Sequence, residues 1–148
     1  MPVLVTLGRI LFSVLFVLSG ALKLMNVSAT AQMTQKIVIP AIMAPYTAQL
    51  ETLTGMPMAN ILAIASGALE VICGVMIALN FGARFFAIVL ALFVAAATFY
   101  FHDFWNQTGA EATNNMIHAL KNLSLIGALL MIAGVGRSAK AAEPAYDV

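Results

Sequence analysis

Two histidines with polar neighbours form the most chemically suggestive pattern in this sequence. His102 is followed directly by Asp103, and His118 precedes Lys121 by three residues. Residues three apart share one face of a helix, so His118 and Lys121 would present their hydrogen-bond donors together. A carboxylate near a histidine can orient the imidazole and assist proton transfer. The pattern therefore predicts a site for proton transfer, with His102 and Asp103 as candidates, or for binding an acceptor-rich molecule.

Further side chains extend the candidate binding site. Asn114 precedes His118 by one helical turn, and Asn122 follows directly after Lys121. Trp105 belongs to an aromatic cluster at the end of an apolar stretch. Such a cluster is typical of the membrane–water interface, and it would also suit the wall of a site for a flat lipophilic ligand.

Several charged residues lie inside the long apolar stretches, where burying an ionisable side chain costs free energy and calls for an explanation. Arg9 and Lys23 belong to the first stretch and Glu70 to the second. We expect a structural ion pair between Arg9 and Glu70, with Lys121 as the other candidate partner of the carboxylate. The alternative to a structural ion pair is that Glu70 carries protons. Lys23 either extends its amine to the lipid headgroups or contributes to the binding site.

Metal-based interpretations of the histidines are weaker. Two histidines at similar depth on neighbouring helices could ligate a haem from both faces, but a membrane histidine is more often simply hydrogen-bonded. Zinc needs about four ligands, and His102, Asp103, Glu111 and His118 would form such a set only if their loop folded over. The single cysteine, Cys73, excludes a dithiol relay within the chain. We expect no metal and no covalently bound cofactor, and haem is disfavoured.

The composition places these residues in a membrane protein. Of 148 residues, 62% are hydrophobic and only 9% are charged, against about 25% charged in soluble domains. The net charge of +1 excludes the basic excess of a nucleic-acid-binding protein. Lipid leaves backbone groups without partners, so helices are favoured, and about 20 residues suffice to span a bilayer. We predict an all-α integral membrane four-helix bundle, with spans at about 3–24, 58–79, 84–101 and 115–135, in one domain, 1–136, followed by a disordered polar tail, 137–148.

The faces and connections of these spans follow from residue spacing. The second and third spans are joined by a tight turn, which predicts antiparallel neighbours. The long first loop contains an amphipathic stretch, 29–39, that we expect at the interface. Helical periodicity predicts the inward faces. They are Arg9, Ser13, Phe16, Gly20 and Lys23 in the first span, Ser66, Glu70 and Cys73 or Gly74 in the second, Arg84, Ile88, Ala91, Ala95, Thr98 and His102 in the third, and the stripe of Asn114, His118, Lys121 and Asn122, with Ser124 and Leu125 deeper, in the fourth.

Basic residues near the helix ends predict the orientation. Arg9, Arg84 and Arg137 gather on the side of the two termini. Because positively charged residues are enriched in cytoplasmic loops, we expect both termini in the cytoplasm and the loop 102–111 on the outside. In that arrangement Lys23, the two histidines and Lys121 would meet in one polar cavity that opens outward and has Glu70 as its floor.

With these motifs, the sequence resembles the DoxX family of small bacterial four-helix membrane proteins. The resemblance covers residues 7–135 and implies an inner-membrane protein. Some relatives look like membrane subunits of quinone-linked oxidoreductases, and others accompany redox-stress or biosynthetic enzymes, so no single catalytic function transfers. The matching residues are Gly8-Arg9-Ile10-Leu11, Ser19-Gly20-Ala21-Leu22-Lys23-Leu24, Glu70, Ala83-Arg84, His102-Asp103-Phe104-Trp105-Asn106 and His118-Ala119-Leu120-Lys121-Asn122-Leu123.

The leading hypothesis is a membrane subunit of a redox system that binds a quinone or similar lipophilic molecule. A quinone headgroup needs donors for its two carbonyls and a proton source on reduction. His118, Lys121 and His102 could donate, Asp103 could orient a histidine, and Glu70 could carry protons. The sequence shows no redox centre, so a partner oxidoreductase would supply the electrons, and the chain would be an enzyme only as a subunit of such a complex. The alternatives are a non-catalytic membrane anchor or assembly factor and a small-molecule or lipid carrier. The oligomeric state stays open, and a homo-oligomer is compatible with the sequence.

Overall fold

The computed structural model describes residues 3–134, and every regular element in that range is helical. Four of the helices are long and apolar enough to cross a membrane. This confirms the prediction of an all-α membrane protein; the predicted disordered tail, 137–148, lies outside the described residues. The helices are α1 (Val3–Met25), α2 (Val27–Thr34), α3 (Ala44–Thr54), α4 (Met58–Ala78), α5 (Ala83–Phe101) and α6 (Gly109–Gly134), with short 3-10 turns at Ala41–Met43 and Phe104–Asn106.

Three of the helices that could span the membrane begin and end within one residue of the predicted bounds, but α6 begins earlier than expected. The prediction started the fourth span at residue 115, where the sequence becomes continuously apolar. The helix instead begins at Gly109, whose φ of 65° turns the chain. Glu111 lies in the first turn, where a negative charge is favourable. Hydrophobicity marks where a helix enters lipid, not where it begins, and the early start places Asn114 and Asn115 on a helix.

The first loop contains two helices where one was predicted. The amphipathic stretch 29–39 forms a helix only as far as Thr34, and the chain then turns towards Pro40. The second helix, α3, was missed because its residues are mostly polar or small. Pro45 lies in its first turn and Gly55 ends it with a φ of 67°, which are the expected helix start and stop residues.

The chain divides after Val75 into two compact units, named here unit 1 (up to Val75) and unit 2 (from Met76). In unit 1, α1 and α4 run antiparallel and in close contact, because Gly20 approaches Gly67 while Gly74 approaches Phe16. The predicted inward face of α1 is confirmed for Arg9, Ser13, Phe16 and Gly20, which are all buried. The opposite side exposes large apolar side chains, as expected of a helix surrounded by lipid: Leu4, Leu11, Leu18 and Leu22 are among them.

Hydrogen bonds tie the first loop to the start of α4. Thr34 Oγ1 lies 2.8 Å from the carbonyl oxygen of Ala59. The Glu51 carboxylate accepts a hydrogen bond of 2.6 Å from the backbone N–H of Met58, the first residue of α4. The second contact satisfies one of the first N–H groups of α4, which have no partner within the helix itself. The loop is therefore held against the start of α4 at two points.

Unit 2 consists of the end of α4 and the antiparallel pair α5 and α6. Asn80, with a φ of 58°, ends α4, and the Phe81 N–H donates to the Met76 carbonyl, as in a Schellman motif. The α5–α6 register is marked at one end by Arg84, whose Nε donates to the Ala133 carbonyl at 3.0 Å.

The prediction of the inward face of α5 was wrong for most of its residues. It was assigned through its polar residues, but Arg84 is exposed and Ile88 is half exposed. The face that is buried in the structure consists of Ala83, Ala87, Leu90, Ala91 and Val94. An arginine at a helix end can reach a neighbouring carbonyl from an exposed position, so polarity was a poor guide to this face.

Candidate functional site

An ion pair between Lys23 and Glu70 lies where α1 and α4 cross in unit 1. Lys23 Nζ donates to Glu70 Oε1 at 2.5 Å, and the two side chains are 31% and 6% exposed. The crossing depends on two glycines, because a Cβ at Gly20 would lie 2.5 Å from the Gly67 carbonyl oxygen and 2.9 Å from Glu70 Cβ. Small residues permit such close approach of membrane helices. The glycine contact therefore brings Glu70 alongside the last turns of α1, where Lys23 lies.

Arg9 does not form the ion pair expected from the sequence; Glu70 pairs with Lys23 instead. Glu70 lies at the level of Gly20, which follows Arg9 by eleven residues. At 1.5 Å per residue this is a separation of about 16 Å along the helix axis, too far for an arginine side chain to bridge. Arg9 is buried, and its Nε has no hydrogen-bond partner within residues 3–134.

The second oxygen of the Glu70 carboxylate is buried and, among the described residues, has no hydrogen-bond partner. A buried acceptor without a donor is uncommon and calls for an explanation, such as a catalytic role or an unseen bound group. Lys23 also lines an open groove on unit 1 with a volume of about 460 Å³. The groove is mostly apolar, and its lining residues are Leu15, Leu18, Ser19, Leu22, Lys23 and Thr30.

The two histidines meet in unit 2, at the end where α5 stops and α6 begins. His102 follows the last residue of α5, and its backbone N–H donates to the Thr98 carbonyl at 3.0 Å. Its ring stacks on that of His118, with the centroids 5.1 Å apart and the planes 14° from parallel. Rings stacked face to face do not present nitrogens to opposite sides of one iron, which is the arrangement that haem ligation by both histidines needs. Within residues 3–134, no three His, Cys, Asp or Glu side chains are grouped as a metal site.

Asp103 reaches His102 through two intervening amides. Gln107 Nε2 donates to Asp103 Oδ1 at 2.9 Å, and Asn115 Nδ2 donates to Gln107 Oε1 at 2.6 Å. Asn115 Oδ1 lies 3.0 Å from His102 Nδ1. The sequence analysis expected Asp103 to act on a histidine but missed Gln107 and Asn115. The signal for Asn115 was its position three residues before His118, which puts both on one side of α6.

Asn122 and Thr98 link the two helices one turn deeper into unit 2. Asn122 Nδ2 donates to Thr98 Oγ1 at 2.9 Å, and the Thr98 hydroxyl donates to the Val94 carbonyl at 2.7 Å. The amide of Asn122 is therefore engaged in holding the helix pair together. This contact gives the predicted binding residue a structural role, since amides and hydroxyls between membrane helices stabilise their association.

An aromatic cluster lies at the same end of unit 2 as the histidines. Trp105 lies 5.7 Å from Phe99 and 5.2 Å from Phe104, measured between ring centroids, and Phe99 contacts Tyr100 edge to face. The Trp105 side chain is 51% exposed. The exposed aromatic surface is compatible with both sequence interpretations, interfacial anchoring and contact with a flat ligand.

The remaining candidates, Asn114, His118 and Lys121, are exposed side chains of α6. The structure thus groups His102, Asp103, Trp105 and His118 at one end of unit 2, with Asn114 and Lys121 on the same helix as His118. Lys23 and Glu70 belong to unit 1. The predicted cavity that would unite the two groups stays a prediction.

Comparison with known proteins agrees with the resemblance in the sequence. The DoxX family model matches residues 4–56 and 45–103, a range that includes Glu70, His102 and Asp103. The chain is 30% identical to the inner membrane protein YphA of Escherichia coli (strain K12). The alignment of 138 residues covers 93% of this chain and 86% of that protein. No solved structure matches the chain.

Proposed function

Because the chain belongs to the DoxX family, we propose that it is a multi-pass inner-membrane protein that binds a quinone or a similar planar lipophilic molecule. The observation that carries the proposal is the stacked pair of His102 and His118 beside the exposed aromatic cluster of Trp105. A planar ring can stack on imidazole and indole surfaces, and its polar substituents need hydrogen-bonding groups at the ring edge. This end of unit 2 offers both.

Two side chains of α6 supply donors to such a ring. His118 and Lys121 are three residues apart and therefore share a side of the helix, and both are exposed. A charged donor such as a lysine amine forms stronger hydrogen bonds than a neutral one. In this proposal Lys121 and His118 hold an oxygen of the ring, with Asn114 one turn away.

Reduction or oxidation of a quinone moves two protons together with two electrons. In the proposed system a partner oxidoreductase exchanges the electrons, and the chain links that enzyme to the lipophilic pool in the membrane. The chain's own part is to hold the ring and to move protons. Support for proton transfer by Glu70 comes from its buried oxygen, Oε2, which has no hydrogen-bond partner among the described residues.

The proposed orientation has both termini in the cytoplasm and the histidine end of unit 2 on the outside. It rests on the positions of Arg9 and Arg84 in the sequence, since basic residues are enriched in cytoplasmic segments. The proposed inner-membrane location is that of the Escherichia coli relative, which is an inner membrane protein.

The proposal is tested by titrating the purified protein in lipid nanodiscs with a short-tailed benzoquinone and with its reduced hydroquinone. We expect at least one form to bind and Lys121→Met to weaken that binding by about tenfold, since a charge-assisted hydrogen bond contributes about 1.5–3 kcal/mol. Lys36→Met is the matched control, because Lys36 is an exposed lysine of the first loop. Failure of both forms to bind would refute the proposal, and copurification of an oxidoreductase despite that result would favour a non-catalytic anchor.

A further inference from the structure

The hydrogen bonds that connect Asp103 to His102 have a single direction. A carboxylate accepts hydrogen bonds and cannot donate them when ionised. Gln107 must therefore turn its NH₂ group to Asp103, at 2.9 Å, which leaves its oxygen for the NH₂ group of Asn115, at 2.6 Å. The orientation of each amide follows from the one before it.

This direction determines which nitrogen of His102 carries the proton. With its NH₂ group facing Gln107, Asn115 presents Oδ1 to His102 Nδ1 at 3.0 Å. An amide oxygen only accepts, so Nδ1 must be the donor. A neutral imidazole has one N–H group, and Nε2 of His102 is then an acceptor with a free lone pair. Within residues 3–134 that atom makes no hydrogen bond, and the ring is partly exposed.

We propose that His102 Nε2 accepts a hydrogen bond from a hydroxyl group of the ligand, so that the site prefers a phenol or hydroquinone ring to the oxidised quinone. The inference rests on the proposed function, since it concerns the same ligand site. A quinone carbonyl has only lone pairs and would face the lone pair of Nε2, whereas the hydroxyl of the reduced ring donates to it. This reverses the sequence-based assignment of His102 as a donor to a carbonyl. The geometry makes Gln107 and Asn115 positioning residues, because they act on the ligand only through His102.

The tautomer is measured on the unmodified protein by two-bond ¹⁵N–¹H correlation spectroscopy in micelles, at a pH where the imidazole is neutral. The His118→Asn variant assigns the two histidines. We expect His102 to carry its proton on Nδ1. A neutral His102 with the proton on Nε2 would overturn the inference, and this measurement does not depend on any ligand or on the folding of a variant at the amide positions.

Ligand preference is measured in nanodiscs with a short-tailed hydroquinone, its dimethyl ether and the corresponding quinone. The ether keeps the ring but has no hydroxyl hydrogen. We expect the hydroquinone to bind about tenfold more tightly than either of the others, the effect of one good hydrogen bond. Equal binding of hydroquinone and ether would overturn this inference while leaving the proposed function in place, whereas no binding by any of the three would overturn both.

A pair of variants in the loop tests the positioning role. Gln107→Leu removes the link to Asp103. The NH₂ group of Asn115 then keeps only its longer contact, 3.4 Å, with the Glu111 carbonyl oxygen, so the orientation of this amide and the tautomer of His102 are held less firmly. We expect the hydroquinone-to-ether ratio to fall towards one and the Nδ1–H signal of His102 to weaken. Thr108→Val, at the next and exposed position, should keep both properties. An unchanged tautomer in Gln107→Leu would contradict the positioning role of Gln107 even if affinity fell.

Discussion

The ion pair in unit 1 allows a quantitative prediction about stability. Replacing Lys23 by Met leaves the Glu70 carboxylate, whose side chain is only 6% exposed, without a compensating charge. Removing one partner of a buried pair typically costs about 3–5 kcal/mol, whereas replacing both by apolar residues is often neutral. Lys23→Met should therefore destabilise strongly, and the double variant Lys23→Met with Glu70→Leu should recover most of the loss.

The two single variants should lower the free energy of unfolding by different amounts. Glu70→Leu removes the carboxylate from Lys23, but the Lys23 side chain is 31% exposed and long enough to move its amine towards water. Its loss of stability should therefore be smaller than that of Lys23→Met. For contacting residues, coupling free energies of about 0.5–3 kcal/mol are usual, and we expect a value in the upper part of that range.

Cys73 provides the assay. It is the chain's single cysteine, it is 3% exposed, and it follows Glu70 by less than one helical turn on α4. The rate of its modification by a thiol reagent, measured across an SDS titration in mixed micelles, gives the free energy of opening unit 1. The control cycle replaces Arg9 by Met in place of Lys23, because Arg9 lies about 16 Å from the level of Glu70. Additive effects of Lys23→Met and Glu70→Leu, or stronger coupling to Arg9 than to Lys23, would refute the structural argument.

Three further outcomes are expected. Gly20→Ala should separate α1 from α4 and lower stability by about 1–3 kcal/mol. Gly127→Ala, where a Cβ meets nothing within 4 Å, should be neutral or mildly stabilising. Equal effects of the two variants in the Cys73 assay would contradict the close crossing of α1 and α4. Cysteines placed at Thr108 and at Phe81 should react with an impermeant maleimide from opposite sides of intact membranes, Thr108 from the outside; reaction from one side would exclude the proposed topology. Asp103→Asn should allow the amide chain to reverse and lower the preference for hydroquinone over its ether; an unchanged preference would mean that Asp103 does not set the direction.

The sequence predicted the architecture well where a single physical requirement dominated. Long apolar stretches must form helices in lipid, and α1, α4 and α5 accordingly begin and end close to the predicted residues. The inward face of α1 was predicted because its small and polar residues recur at helical spacing. Neither argument applied to α3, whose polar composition resembles that of a loop and whose helix is recognisable mainly from Pro45 and Gly55.

The pairing of charges was harder to predict, because it depends on helix register. Composition showed that Glu70 needed a partner, and the sequence favoured Arg9 or Lys121 rather than Lys23. Between the two basic residues of α1, Arg9 and Lys23, the choice is made by the contact between Gly20 and Gly67, which sets the position of α4 along α1. Both glycines are ordinary in a membrane helix, so their mutual contact is visible only in the folded unit.

The relation between Asp103 and His102 shows why adjacency in sequence is a poor guide to interaction. The two residues are neighbours in the chain, yet the hydrogen bonds join them through Gln107 and Asn115. A direct contact would have fixed the imidazole by the charge of the carboxylate. The two intervening amides instead fix the orientation of the hydrogen bonds, because each amide must present its oxygen to the next residue once its NH₂ group has donated. The carboxylate therefore acts on the ligand without approaching it: it selects which nitrogen of His102 faces the binding site as an acceptor, while its own charge stays in the loop before α6.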